Sequence, residues 1–425
     1  MARRLTVTDG YAIINAMAAE MLGQNATIQA IDESTFASVG ESILQAGTEN
    51  VINTLSLVCS RDLVAIRPYK AKFRLLNALD SGMFSNRIRK ISYYAKSAVP
   101  DGASNTNLYD ENLGMGFDNG VHYDTSTPPV QKSTESMWLQ STPVTYQAWF
   151  GGAIEWQYPY SLYENQLKQA FRSSAEWTQF LNGFLVSVAN DLETEKEAFS
   201  RLLVLNAIAG VADLAASMPG SFINLTSEFN TKYGTTYTTA QLLSTYFSEL
   251  LAFFVATFKT VSDMMENRST LYHWSPTKTV NGVSYVLPRQ TKKEDQRCMM
   301  ISKFWNDAEA LVLPQIFNPR YLSIDNFEKI DYWQNINDPT AVKVDTPAIP
   351  DTSDPSAQTT GSNVNLANVL GILYDRDAMM VDFHLESVES TPLEARKHYR
   401  TIWNTINKNP LWDATENFVV FYMAD

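Results

Sequence analysis

The chain has 425 residues, 45% of them hydrophobic and 19% charged, which excludes wholesale disorder and predicts two or three packing units. A formal charge of −13, from 33 Lys and Arg against 46 Asp and Glu, argues against a protein that grips a nucleic-acid duplex, because replacing phosphate counterions takes many cations. Two distant cysteines, Cys59 and Cys298, make no disulfide framework and no CxxC pair, so synthesis in a reducing cytoplasm is expected.

Residues 1–60 read as an N-terminal arm. Residues 1–19 lack the unbroken apolar run of a signal peptide, and the longest apolar stretch, 250–258, is too short to span a bilayer; no membrane partner is expected. Tyr11, Ile14, Met17, Ala18 and Met21 recur at helical spacing between Asp9 as N-cap and Gly23 as stop. Further helices are predicted over 34–45 and 48–57. These pieces carry few core residues, so the arm should pack on something other than itself.

Residues 61–150 change character. Strands are predicted over 63–67, 87–94 and 145–150, where Ile88, Tyr93 and Tyr94 favour extended backbone. Between them, 97–136 is rich in Gly, Asn, Asp, Ser and Thr. So long a loop is uncommon inside a compact domain. A hairpin reaching towards a neighbour would account for it, and so would a loop without structure.

Residues 151–234 carry the strongest periodicity. One helix is predicted over 161–171 and a second opens at Ser174 as cap. Trp177, Phe180, Leu181, Phe184, Leu185, Val188, Leu192, Phe199, Leu202, Leu203 and Leu205 follow the spacing of one helical face, and Gly210 is the expected stop. At 1.5 Å per residue this helix would be about 50 Å long, a scaffold and not a site.

Residues 235–370 begin with a helix over 238–267, capped by Thr238 or Thr239. Asn281 and Gly282 then mark a hairpin turn between 279–280 and 283–287. Residues 311–313 and 321–324 bracket another turn, and 338–361 reads as an exposed insertion rich in Pro, Asp, Ser and Thr. Residues 371–425 supply return strands at 371–374, 378–383 and 418–423, with 394–402 as strand or short helix.

The search for chemistry yields little. The four histidines, His122, His273, His384 and His398, never stand at i, i+3 or i+4, so no helix presents a paired metal site. The phosphate-cradling loops GxxxxGK[ST] and GxGxxG are missing, as is GxSxG. Glu193, Glu195 and Glu197 alternate along a helix and do not share a face. Trp149, Trp156 and Tyr158 could line a sugar platform, but they sit where strands should join helices. No catalytic residue, metal or cofactor is expected.

One cationic segment stands out: Arg67, Lys70, Lys72 and Arg74, then Arg87, Arg89, Lys90 and Lys96. A solvated strand face would explain it. Pairing with the acidic surface of another copy, which would set register between subunits, is the favoured reading.

The order of these pieces resembles the major capsid proteins of tailed bacteriophages, the Hong Kong 97-type capsid fold, in the style of short-tailed and gut phages. Leu63, Val64, Ala65, Ile66 and Arg67 resemble the start of the E-loop. Trp156, Gln157, Tyr158, Pro159 and Tyr160 resemble its exit, and Trp177 to Gly210 the spine helix of the P-domain. Residues 372–378, 385–399, Trp403 and 418–422 look like late strands of the fold.

The resemblance implies an α+β chain with N-arm, E-loop hairpin, spine helix and mixed α/β A-domain. It divides the chain as 1–60 arm, 61–150 E-loop region, 151–234 P-domain, 235–370 A-domain and 371–425 return strands. It implies copies of the chain in pentamers and hexamers, a separate scaffolding protein, a portal, decoration or head-fibre proteins, and weak contact with packaged DNA. A portal or tail component is the alternative, with a carboxylate-dependent hydrolase behind it.

Overall fold

The computed structural model describes residues 11–12, 14–16, 18, 30, 32–45, 73, 76–79, 88–94, 144–150, 154–163, 166, 169–171, 173–280, 283–311, 326–351, 357–392, 394 and 396–425. In chain order they form α1 (Glu33–Gln45), β1 (Asn77–Leu79), β2 (Ile88–Tyr93), β3 (Thr145–Phe150), β4 (Ile154–Tyr163) and α2 (Ser174–Asp213). Next come β5 (Phe222–Asn224), α3 (Leu225–Tyr233), α4 (Thr239–Leu242), α5 (Phe247–Met264), β6 (Lys278–Val280), β7 (Val283–Tyr285), β8 (Gln296–Ile301) and α6 (Ser302–Leu311). Strands β9 (Phe327–Ile330), β10 (Val342–Val344), β11 (Ala348–Pro350), β12 (Gln358–Thr360), β13 (Val364–Leu366), β14 (Val369–Asp375), β15 (Met379–Ser390), β16 (Tyr399–Trp412) and β17 (Phe418–Tyr422) complete the described elements.

A five-stranded sheet in the order β5-β17-β14-β8-β9 lies between two helical layers. Alternation along its strands assigns the faces. Ile372, Tyr374, Phe418, Val420, Met299 and Ile301 point to one side, against Val204, Ala207, Ile208 and Val211 of α2. Leu373, Val419, Phe421, Cys298 and Met300 point to the other, against Phe254 and Phe258 of α5 and Trp305 of α6. Every residue of β14 is buried, as befits a strand covered on both faces.

A four-stranded sheet in the order β1-β15-β16-β4 extends from the same helix. Its two long strands pair antiparallel from Met379↔Trp412 to Ser390↔Ile402. At the other end of α2, Phe36, Val39 and Ile43 of α1 share a small core with Phe171, Trp177 and Ile402. Helix α1 therefore packs by the start of the long helix, where its buried apolar residues find a partner.

Helix α2 runs 40 residues, about 60 Å by its rise. Its N-cap is Ser173, not Ser174: the Ser173 hydroxyl accepts from the Glu176 amide at 3.2 Å. Gly210 does not stop it. The helix continues to Asp213, and Gly210 serves as a point of close approach to Trp412. Leu202, read as part of the apolar face, is 61% exposed. Of the helix expected over 161–171, residues 161–163 belong to β4, held by pairing of Ser161, Leu162 and Tyr163 with Thr401, Arg400 and Tyr399.

The helix expected over 238–267 is two. Thr238 and Gln241 form a reciprocal capping box around α4, then the amides of Ser244, Thr245 and Tyr246 all turn to the Gln241 carbonyl and end it. The strands expected on either side of 281–282 pair antiparallel, with Val280 facing Val283; the turn residues themselves lie outside the described residues.

The stretch 338–361 is not simply exposed. Val342 is fully buried in the core beside α2, and Asn206 of α2 clasps Ala348 through both of its amide atoms, at 2.7 and 3.3 Å. The strand expected over 63–67, the polar stretch 97–136, the helix over 48–57 and the turn after Leu311 lie outside the described residues.

Candidate assembly surface

The feature that separates this chain from an ordinary three-layer domain is the hairpin β2–β3. Its strands pair antiparallel from Ile88↔Phe150 to Tyr93↔Thr145, and among the described residues neither joins another sheet. Alternation gives it two unlike faces. Ser92, Tyr94, Tyr146, Ala148 and Phe150 are buried, over a small apolar patch of Leu287, Met380 and Leu411. Arg89, Ile91, Tyr93, Gln147 and Trp149 face out; Ile91 is 45%, Tyr93 64% and Trp149 47% exposed.

Arg89 and Trp149 are direct cross-strand partners, and the guanidinium carbon sits 5.7 Å from the indole centroid. Such a cation–π contact contributes about 0.5–1 kcal/mol at an exposed site. Its larger effect is to flatten an aromatic and a cation onto one surface. Both are among the residue types favoured in protein interfaces.

Of the eight basic candidates, Arg89 and Lys90 are described; Arg67, Lys70, Lys72, Arg74, Arg87 and Lys96 lie outside the described residues. Lys90 departs from the expectation. It sits on the inner face of the hairpin, and its ammonium pairs with Asp413 and Glu416 of its own chain. The reason is parity: Lys90 falls on the same face as Ser92 and Tyr94, Arg89 on the opposite one.

The cluster around Lys90 is closely bonded. Thr415 donates to Asp413 Oδ1 through its amide at 2.9 Å and its hydroxyl at 2.7 Å. Arg289 donates to the Thr415 carbonyl at 3.0 Å and to Ser92 Oγ at 2.8 Å, and its guanidinium lies 3.3 Å from Glu416. Burial works against the charge on Lys90, but the two carboxylates outweigh it and hold its pKa above the usual lysine value. Burial likewise opposes the charge on Asp413, and Lys90 and Thr415 outweigh that, so its carboxyl is held below the usual range. On Glu416 burial prevails over Lys90 and Arg289, and the pKa is raised.

Sequence reasoning missed this cluster. Asp413 and Glu416 carry no signal of their own, and they lie 323 and 326 residues from Lys90. A polar cleft of about 460 Å³ opens beside it, lined by Arg268, Arg289, Asp295, Asp375 and Arg376 among others. Its charges are largely spent on one another, as in Arg376 with Asp295 at 3.3 Å and Asp377 at 3.4 Å.

Three of the residues weighed for chemistry have structural partners. Glu197 bonds Arg201 at 2.7 Å, Trp156 meets Phe199 edge-on, and buried His273 lies between Asn417 and the Leu287 carbonyl. Among the described residues, no group of His, Cys, Asp and Glu is placed to hold a metal, and no helix is long and apolar enough to cross a membrane.

The model of the Phi29-like phage major capsid proteins matches residues 120–422, most of the chain. The chain belongs to this family. It is a structural protein of the phage head and assembles with copies of itself. A search of curated proteins finds no match.

Among solved structures, the capsid of Staphylococcus phage Andhra has a chain similar to this capsid protein at 10% identity and a TM-score of 0.51, over 85% of this chain and 87% of that one. That likeness shows the fold. A chain in the structure of the head fiber and inner core protein gp22 of bacteriophage P68 is similar at 10% identity and a TM-score of 0.48, over 84% and 86%. One in the capsid of Cyanophage P-SCSP1u is similar at 10% and 0.43, over 84% and 89%. In the terms of this fold, α2 is the long spine helix.

Proposed function

We propose that the capsid protein forms pentamers and hexamers that close into an icosahedral or prolate head around double-stranded DNA, with the outer face of the hairpin as one of the contacts between copies. The observation that carries this is the two-faced hairpin: Trp149, Tyr93, Ile91 and Arg89 are exposed together on a strand pair whose other face is buried. Rings of head-to-tail contacts that close give capsomers. Many weak contacts per subunit then make the shell far more stable than any one interface.

The finer reading follows the division 1–60 arm, 61–150 E-loop region, 151–234 P-domain, 235–370 A-domain and 371–425 return strands. The basic residues Arg67, Lys70, Lys72, Arg74, Arg87, Arg89 and Lys96 meet acidic surface on another copy; Lys90 is withdrawn from that set because its charge is used internally. The net charge of −13 suits a wall that encloses DNA with weak contact. Synthesis in the host cytoplasm, a separate scaffolding protein, a portal at one vertex and decoration or head-fibre proteins complete the proposal. The role is structural and not enzymatic.

The test is electron microscopy of the chain co-expressed with its scaffolding protein. Uniform closed shells from the native chain, and their loss in Trp149→Ala and Arg89→Glu chains that remain folded, are the expected result. Single rings of one size would favour a portal-like role, and unimpaired shells from both variants would remove the hairpin face from the contact.

A further inference from the structure

Among the described residues neither strand of the hairpin joins a larger sheet, and a two-stranded hairpin alone is marginal in water. The described contacts that position it are the small apolar patch beneath it and a set of charges. The charges converge from three parts of the chain. Lys90 comes from β2, Arg289 from the segment before β8, and Asp413 and Glu416 from the loop that carries the chain from the four-stranded sheet to the five-stranded one.

The loop does not need the hairpin to hold its shape. The Asp413 amide donates to the Ala378 carbonyl at 2.9 Å, the Trp274 amide to Ala414 at 2.8 Å and the Asp375 amide to Asn417 at 2.8 Å. Thr415 holds Asp413, and Arg289 stays beside Glu416. If the hairpin left, those carboxylates would keep donors, so departure would not strand a bare buried charge. An apolar patch alone tolerates sliding, whereas ion pairs and charge-assisted hydrogen bonds are satisfied in one geometry only.

We propose that Lys90, Arg289, Asp413 and Glu416 form a latch that sets the angle of the hairpin on the body, and that opening it frees the hairpin as a unit while both sheets stay folded. Its consequence for assembly rests on the reading of the outer face as a contact between copies: the latch would orient Arg89 and Trp149. The latch itself is a property of the single chain.

The test is hydrogen exchange, resolved by peptide, on the full unassembled chain at neutral pH. In Lys90→Met the amides of 88–94 and 144–150 should exchange at least about tenfold faster, while those of 369–375 and 418–422 keep their rates, as expected for local and not global opening. Lys90→Arg, which retains the charge, should stay near the native rate. No acceleration in Lys90→Met, or the same acceleration in both regions, overturns the latch. If Lys90→Met does not fold, the native chain decides: the hairpin must open well before the five-stranded sheet, and a common opening rate overturns the proposal. Shell formation by Trp149→Ala is scored separately, so the latch and the contact can fail independently.

Discussion

The indole of Trp412 occupies the space that a β-carbon on Gly210 would need. Gly210 lies in the last turn of the spine helix and Trp412 ends β16, so this contact sets how near the helix comes to the four-stranded sheet. Alanine at 210 would gain about 1 kcal/mol of helix propensity. It would also force the ring or the backbone aside, at about 1–3 kcal/mol for overpacking. We expect Gly210→Ala to lower the urea midpoint, and Trp412→Leu in the same chain to recover part of the loss, because the two positions are directly coupled.

On the hairpin, the two faces should respond differently. Trp149→Ala and Arg89→Glu act on exposed side chains and should lower stability by no more than about 1 kcal/mol, the scale of the cation–π contact that each removes. Thermal melting of the free chain checks that. Sedimentation of the assembly reaction should meanwhile shift from shells to unassembled protein.

The pH dependence follows from the latch. Asp413 is held below its ordinary value of 3.8, so its contribution is present above that pH and lost as pH falls through the folded value. Lys90 is raised above 10.5, so its contribution is full below that pH and lost as pH rises through the folded value. Glu416, raised above 4.5, has the opposite sign to Asp413 and softens the acid limb. Tyr146, His273 and Asp375 face the same cluster and are present alike in the native chain and in Lys90→Met. Denaturant titrations from pH 7 upward should therefore show a shallower alkaline loss in Lys90→Met than in the native chain; parallel curves would contradict the assignment.

Cys298 sits in β8 with 1% exposure, and burial pushes its thiol far above the ordinary range. The thiolate is the reactive form. Iodoacetamide at neutral pH should leave the Cys298 peptide unmodified in the folded chain and label it fully in denaturant, as read by mass spectrometry. Native labelling at the denatured rate would mean that the five-stranded sheet opens far more readily than its packing implies.

Much of the architecture was legible because it is written in local periodicity. The spine helix shows in Trp177, Phe199 and Leu203, and the strands at 145–150 and 418–422 show in their β-favouring residues. Errors fell where long-range contacts overruled local pattern. Residues 161–163 carry no veto on a helix, yet ten consecutive pairs between β4 and β16 draw them into sheet. Val342 lies in a stretch whose composition reads as exposed, yet it is buried because Trp333, with its indole nitrogen on the Val369 carbonyl at 2.8 Å, and Asn206 bring that stretch onto the spine helix.

By itself the sequence determined the acidic charge, the long helix and the hairpin strands, because each depends on residue type and on spacing within one segment. It singled out Arg89 and Lys90 together as basic neighbours. Only the tertiary structure decided that they part company, Arg89 onto an outward indole and Lys90 inward to Asp413 and Glu416. Strand parity divides the two to opposite faces, but which face meets the body depends on a loop more than 300 residues away, as the separation of 323 residues between Lys90 and Asp413 shows. No local pattern encodes that distance.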